Sequence, residues 1–234
     1  YIRRVLCREH RGVAKAWFEE MDRYLNLRYG DEIYSQMAFD MRRYRLLCEI
    51  EWQDYTALEI QKQGESLLTY VKRFPELHPR QLAMALDLNA DLLHDCNPAQ
   101  AKGYYLKVYD IYKSLHAETP QASRLGVICG DLNKVYRNGL KNYEEALHWA
   151  EESLKWAQEA KKKQKDECLG PKYYFVGCTL ADLNRHDEAV EAFQWALKQW
   201  KPDSDEKKFR IAITRMWLGA SQIKGGLTDG KKTL

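Results

Sequence analysis

Four apolar residues recur in this chain at nearly constant distance: Leu88, Leu132, Val176 and Leu218, with steps of 44, 44 and 42 residues. Recurrence at a fixed period of about 20–50 residues marks a repeat array, in which each unit is one supersecondary motif that buries its apolar face only against its neighbours. This excludes a single enclosed core and asks instead for stacked copies of one element pair. The local pattern says what that element is. Leu88, Leu92, Tyr105, Val108, Ile111 and Leu115 recur at three- and four-residue steps within their segments, which is the period of an amphipathic helix. No run alternates with period two, so no strand is predicted. Helices are predicted at 9–28, 33–50, 52–73, 79–95, 98–116, 121–138, 142–164, 170–184, 186–200 and 205–224. All six prolines fall at the breaks or helix starts, and Asn97-Pro98 has the form of an N-cap followed by a first-turn proline.

The residues around the anchors repeat as well. Tyr173, Val176-Gly177 and Leu180 precede Ala189, Phe193 and Ala196, with Lys201-Pro202 ending the second helix. A small Gly177 facing a small Ala189 lets two helices approach closely, and Phe193 and Leu180 fill the seam between them. Upstream, Leu132-Asn133 and Tyr136 precede Tyr143-Glu144-Glu145-Ala146-Leu147, with one residue inserted in the turn at Asn138-Gly139-Leu140-Lys141. Leu88-Asn89 and Leu92 precede Ala101 and Tyr105, and Trp217-Leu218-Gly219 opens a further unit. A step of 44 back from Leu88 reaches Tyr44, with Ala57 thirteen residues later. This pattern resembles the tetratricopeptide repeat (TPR) in its long-helix variety, over roughly two thirds of the chain by the motif matches. The resemblance implies an all-α fold: a right-handed α-solenoid of antiparallel helix pairs, a TPR-like superhelix. Its repeats are expected at about 1–30 (partial), 33–73, 79–116, 121–164, 170–200 and 205–234 (partial). Residues 1–234 are read as one such domain, cut from a larger protein.

Composition narrows the function classes. Against 37 Lys and Arg stand 34 Asp and Glu, a net charge of +3 with the basic residues spread along the chain, so no nucleic-acid footprint is expected. No window approaches a membrane span. Six cysteines (Cys7, Cys48, Cys96, Cys129, Cys168 and Cys178) are scattered without a C-x-x-C pair. They read as free thiols in a reducing, cytoplasmic setting.

No catalytic constellation emerges. His94-Asp95-Cys96 brings three reactive side chains together in sequence, but neighbours at a helix end point apart, and the segment reads as the turn inside a repeat. Cys7 and His10 are two residues where a zinc site needs about four ligands. No phosphate-binding glycine loop is present, and Lys161-Lys162-Lys163-Gln164-Lys165 reads as a solvated helix end favoured by the dipole. The chain is therefore expected to need no cofactor and no metal, and not to be an enzyme.

The resemblance implies that the first helix of each pair lines a concave groove for ligands. Immediately before the anchors lie Arg43, Asp87, Asp131 and Phe175, and in the same helices Arg42, Lys134, Arg137, Asn138 and Tyr174. Asn89 and Asn133, in the repeated Asp-Leu-Asn, either hydrogen-bond an extended peptide or tie neighbouring helices together. The carboxylate clamp of the family's chaperone-binding branch is missing, because the equivalent positions hold Leu86 and Ala90, then Gly130 and Lys134. The partner-binding candidates are thus Arg42, Arg43, Asp87, Asn89, Asp131, Lys134, Arg137, Asn138 and Tyr174. The expected function is a protein-interaction scaffold that binds a peptide or partner protein on its concave face. Two alternatives stand beside it: the ligand-sensing repeat region of a larger nucleotide-binding, oligomerising signalling ATPase, and an RNA-binding helical-repeat protein.

Overall fold

Capping groups stand where the chain changes direction. In the computed structural model, which describes residues 11–29, 36–52, 56–74, 79–163, 168–201 and 203–226, the helices are α1 (Arg11–Tyr29), α2 (Gln36–Trp52), α3 (Ala57–Lys72), α4 (Pro79–Leu93) and α5 (Pro98–His116). They continue as α6 (Ala122–Lys134), α7 (Tyr143–Lys163), α8 (Gly170–Asp182), α9 (His186–Gln199) and α10 (Asp205–Lys224). Among the described residues there is no strand. Asn97 caps α5 as the sequence predicts, its side chain accepting from the Gln100 N–H at 3.2 Å with Pro98 in the first turn. Thr56 and Glu59 close a capping box on α3: Glu59 N–H donates to Thr56 Oγ1, and Thr56 N–H donates to the Glu59 carboxylate at 2.8 Å. Pro75, Pro202, Cys7 and His10 lie outside the described residues.

The chain divides into two compact units, residues 1–96 and 97–234, and the division falls inside the repeat expected at 79–116. In the first unit α1 packs on α2, α2 on α3 and α3 on α4. In the second, each helix from α5 to α10 packs on the next, and the first helices of successive pairs also touch, α6 with α8 and α8 with α10. Packing onto the neighbour and the next-but-one is what stacked hairpins produce. A single apolar cluster runs through α7, α8, α9 and α10, holding Leu147, Ala150, Val176, Leu180, Ala189, Phe193 and Leu218. Gly177 is where this cluster is tightest: a Cβ there would stand 2.7 Å from the fully buried Phe193 ring.

The anchor positions behave as the period predicts in the later units and fail in the earliest. Leu88, Leu132, Val176 and Leu218 are all buried, whereas Tyr44 is 47% exposed and Ala57 is exposed too. In α2 the core is made instead by Phe39 and Leu46, so the 44-residue step does not extend back through α2. The extra residue before α7 is absorbed by widening the helix end. Val135–Gly139 form a π turn in which Leu140 N–H donates to the Val135 carbonyl at 2.9 Å. Lys141 then takes the left-handed conformation (φ 54°) to start the return.

One reading of the cysteines is corrected: Cys48, buried on α2, is disulfide-bonded rather than free. Lack of a C-x-x-C pair excludes only local pairing, because folding brings together sulfurs distant in sequence. Cys96 and Cys168 are free and exposed; Cys129 and Cys178 are free and buried.

Candidate binding surface

In the second unit the predicted residues Asp131, Lys134, Arg137, Asn138 and Tyr174 lie on α6, the π turn that follows it and α8, and two of them reach across to the next first helices. Lys134, at the end of α6, pairs with Asp131 one turn earlier at 2.8 Å. Its ammonium also stands 5.7 Å from the ring centre of Phe175 on α8. Arg137, on the π turn, donates to Asp182 at the end of α8 at 2.5 Å. Its guanidinium lies 5.8 Å from the ring centre of Trp217 on α10. Arg137 therefore links three successive first helices and is only 18% exposed. Lys134 is 45% exposed, and Asn138 is exposed on the π turn. The π turn places Arg137 and Asn138 on a widened helix end.

Tyr174 supplies an aromatic floor. Its ring lies 5.9 Å from Phe175 and 6.1 Å from both Phe193 and Trp200. Burial is the main reason its phenol is pushed well above the ordinary tyrosine range. Beside it Glu206, Phe209, Arg210 and Ile213 of α10 border a shallow hollow of about 340 Å³, with Phe209 66% exposed. A surface that alternates held cations, carboxylates and half-buried rings suits an extended or helical protein segment.

Asn89 is corrected as a binding candidate. It is 1% exposed and donates to the carbonyls of Gly64 at 2.9 Å and Ala85 at 2.8 Å, which ties α4 to α3. Gly64 makes room for it, since a Cβ there would come 2.9 Å from Asn89 Oδ1. Asn133, fully buried, does the same work in the second unit by donating to the Ala146 carbonyl on α7 at 2.8 Å and to Thr179 Oγ1 on α8 at 3.0 Å. Both are internal ties. In the first unit, Asp87 is half-buried on α4. Arg42 stacks on Tyr70 of α3, 4.2 Å from the ring centre. Arg43 stacks on its own neighbour Tyr44 and has no place in the row, because Tyr44 is not an anchor.

The segment 94–96 is a turn, with His94 Nδ1 against the Asp91 carbonyl and Cys96 Sγ directed at helix carbonyls. Against the expectation that neighbours here point apart, His94 Nε2 stands 3.0 Å from Asp95 Oδ1, while Cys96 Sγ is turned to the Leu92 and Leu93 carbonyls. Among the described residues no group of three or more His, Cys, Asp or Glu could hold a metal ion, and no helix is long and apolar enough to cross a membrane. Sequence reasoning misses Trp217 and Asp182. Trp217 stands immediately before Leu218, the same offset from an anchor as Phe175, so a signal for it is present.

No family model matches the chain, and no curated protein matches it in sequence. In structure it is similar to BtubC (BKLC) from P. vanneervenii, with a TM-score of 0.73 and 16% identity over 95% of this chain and 86% of that one. At that identity the likeness speaks for the fold. The chain is an all-α helical-repeat solenoid.

Proposed function

We propose that this protein is an interaction scaffold of tetratricopeptide type, and that the first-helix face of its second unit binds a peptide or a helix of a partner protein. One observation carries this reading: Lys134 at the end of α6 and Arg137 on the π turn that follows reach the rings of Phe175 on α8 and Trp217 on α10, so three helices build one continuous surface of cations and aromatic rings. Such a face gives a partner apolar area to bury and charges that set its register. With a net charge of +3 over 234 residues, an electrostatic nucleic-acid mode is the weaker alternative.

The test is selection of peptides from a displayed library on the full chain, followed by titration against the charge swap Asp131→Lys/Lys134→Glu. The swap keeps an i,i+3 ion pair, and an exposed pair contributes only about 0–1 kcal/mol, so folding survives while the charge order on the face reverses. Selected peptides should share apolar residues with flanking charges and lose at least about tenfold in affinity on the swapped variant. Peptides that bind both forms equally would place the site elsewhere.

A further inference from the structure

α1 in the first unit and α10 in the second each have two apolar sides, of which one is covered. On α1, Ala14 and Phe18 are buried, and Asp22 pairs with Arg45 of α2. On α10, Leu218 is buried and Trp217 stacks on Phe193 of α9, ring centres 6.4 Å apart. Nine residues back from Asp22 and from Leu218 stand Val13 and Phe209, half a turn out of phase at about 3.6 residues per turn. Each begins an uncovered stripe. Val13, Trp17 and Leu27 are exposed on α1, Leu27 by 89%, and Phe209, Met216 and Ile223 are exposed on α10. Single exposed apolar residues are ordinary on a protein surface, but these are aligned. Positions i, i+4, i+7 and i+14 hold Val13, Trp17, Glu20 and Leu27 on α1, and Phe209, Ile213, Met216 and Ile223 on α10. Each stripe is about 21 Å long, from fourteen residues of helical rise.

We infer that the α1 stripe of one copy of this chain packs on the α10 stripe of a second copy. Equal length and equal spacing let the two stripes interdigitate along their whole run. Charge selects this pairing over the two self-pairings. Among the described residues, Glu19, Glu20 and Arg23 on α1 and Arg215 and Lys224 on α10 are exposed, and no ion pair engages them. Lys208 and Arg210 are already held by Asp205 and Glu206. These open groups give α1 one net negative charge and α10 two positive ones. Glu20 is the midpoint of its stripe, and Arg215 stands beside Met216, the midpoint of the other. A two-fold pair of α1 stripes would set Glu20 against Glu20, and a pair of α10 stripes would bring two Arg215 guanidiniums together. Like charges in such a contact cost affinity. The mixed pairing brings Glu20 to Arg215 whichever way the helices run, because both lie at the middle. Such a contact is heterologous: every docked pair leaves one α1 stripe and one α10 stripe open, so the assembly grows unless a ring closes. Self-association of this kind is independent of peptide binding on the α6–α8–α10 face.

The experiment is sedimentation velocity on the full chain over a concentration series reaching the range of about 1 μM to 1 mM, since one helix-on-helix contact is at the small end of stable interfaces. The average mass should rise with concentration. Leu27→Glu and Met216→Glu each place a charge in one exposed stripe, and each should raise the concentration needed for association at least about tenfold. An equimolar mixture of these two variants retains one intact α1 stripe and one intact α10 stripe, and should form dimers and nothing larger. Glu20→Arg and Arg215→Glu should each weaken association, and the double variant Glu20→Arg/Arg215→Glu should recover it. Circular dichroism at 222 nm checks that every variant is folded. The swap Asp131→Lys/Lys134→Glu should leave the mass series unchanged, which keeps failure here distinct from failure of the peptide-binding reading. Three results would each overturn the pairing: a wild-type mass that does not change with concentration, a mixture that yields no dimer, or association lost in Met216→Glu but intact in Leu27→Glu. The last would mean that α10 stripes pair with each other.

Discussion

Asn133 offers the sharpest test of how the second unit is held together. Its side chain is fully buried, and it acts through its donors: Nδ2 donates to Ala146 O at 2.8 Å and to Thr179 Oγ1 at 3.0 Å. Among the described residues its Oδ1 has no partner. Asn133→Ala removes two buried hydrogen bonds, each with a net value of about 1 kcal/mol, so the second unit should lose about 2 kcal/mol. Asn133→Asp keeps the shape but has only acceptors, and turns a carboxylate oxygen toward the Ala146 carbonyl. An uncompensated buried charge costs about 3–5 kcal/mol. At about 2–4 °C per kcal/mol for a chain of this size, the melting midpoint should fall by about 4–8 °C for the alanine variant and about 6–20 °C for the aspartate. Thr179→Val removes the acceptor of Asn133 and also the hydroxyl's own donation to the Phe175 carbonyl, so it should cost about 1–2 kcal/mol, no more than the alanine change. Circular dichroism at 222 nm with heat and urea measures all three. If Asn133→Asp were no less stable than Asn133→Ala, the donor role would be wrong, and so would the view that this position ties helices rather than receives a ligand.

Two further predictions concern packing and titration. Gly177→Val should destabilise by about 1–3 kcal/mol, because the buried Phe193 ring cannot yield to the new carbon. Gly103→Ala, in the middle of α5 with nothing within 4 Å of the added carbon, should stabilise by about 0.5–1 kcal/mol; urea midpoints distinguish the two signs. Burial pushes the Cys129 thiol up to about 12 and the Cys178 thiol to about 11, from ordinary values near 9. At neutral pH, iodoacetamide followed by mass spectrometry should therefore label Cys96 and Cys168 and spare these two. The folded state holds both protons more tightly than the unfolded chain does. Their contribution to stability is thus intact below about pH 9 and lost as pH rises through about 11 to 12, a slope that Cys129→Ala/Cys178→Ala should reduce.

Most of the architecture is legible in local chemistry. Helix period and caps such as Asn97-Pro98 are properties of neighbouring residues, so they recur wherever the repeat does; the small residue at Gly177 is legible too, but the side chain it makes room for is Phe193 and not the Ala189 that the pattern suggests. The offset from each anchor leads to Phe175 and, carried one unit further, to Trp217. The same rule fails at Arg43, because a period counts residues while burial is decided by which helix lies alongside. In α2 the core takes Phe39 and Leu46 and leaves Tyr44 in solvent.

The polar residues separate what is encoded locally from what is not. Asp-Leu-Asn reads identically at 87–89 and 131–133, and nothing in those letters says whether an amide meets a ligand or a carbonyl of another helix. Tertiary packing decides it by bringing Gly64 against Asn89, and Ala146 and Thr179 against Asn133. The stacking of Arg42 on Tyr70 and the clamp of Asp22 and Glu49 on Arg45 are likewise out of reach of the sequence, since they need α1, α2 and α3 packed together first. A one-dimensional pattern specifies which face of a helix avoids water; the identity of the group across the interface exists only after folding.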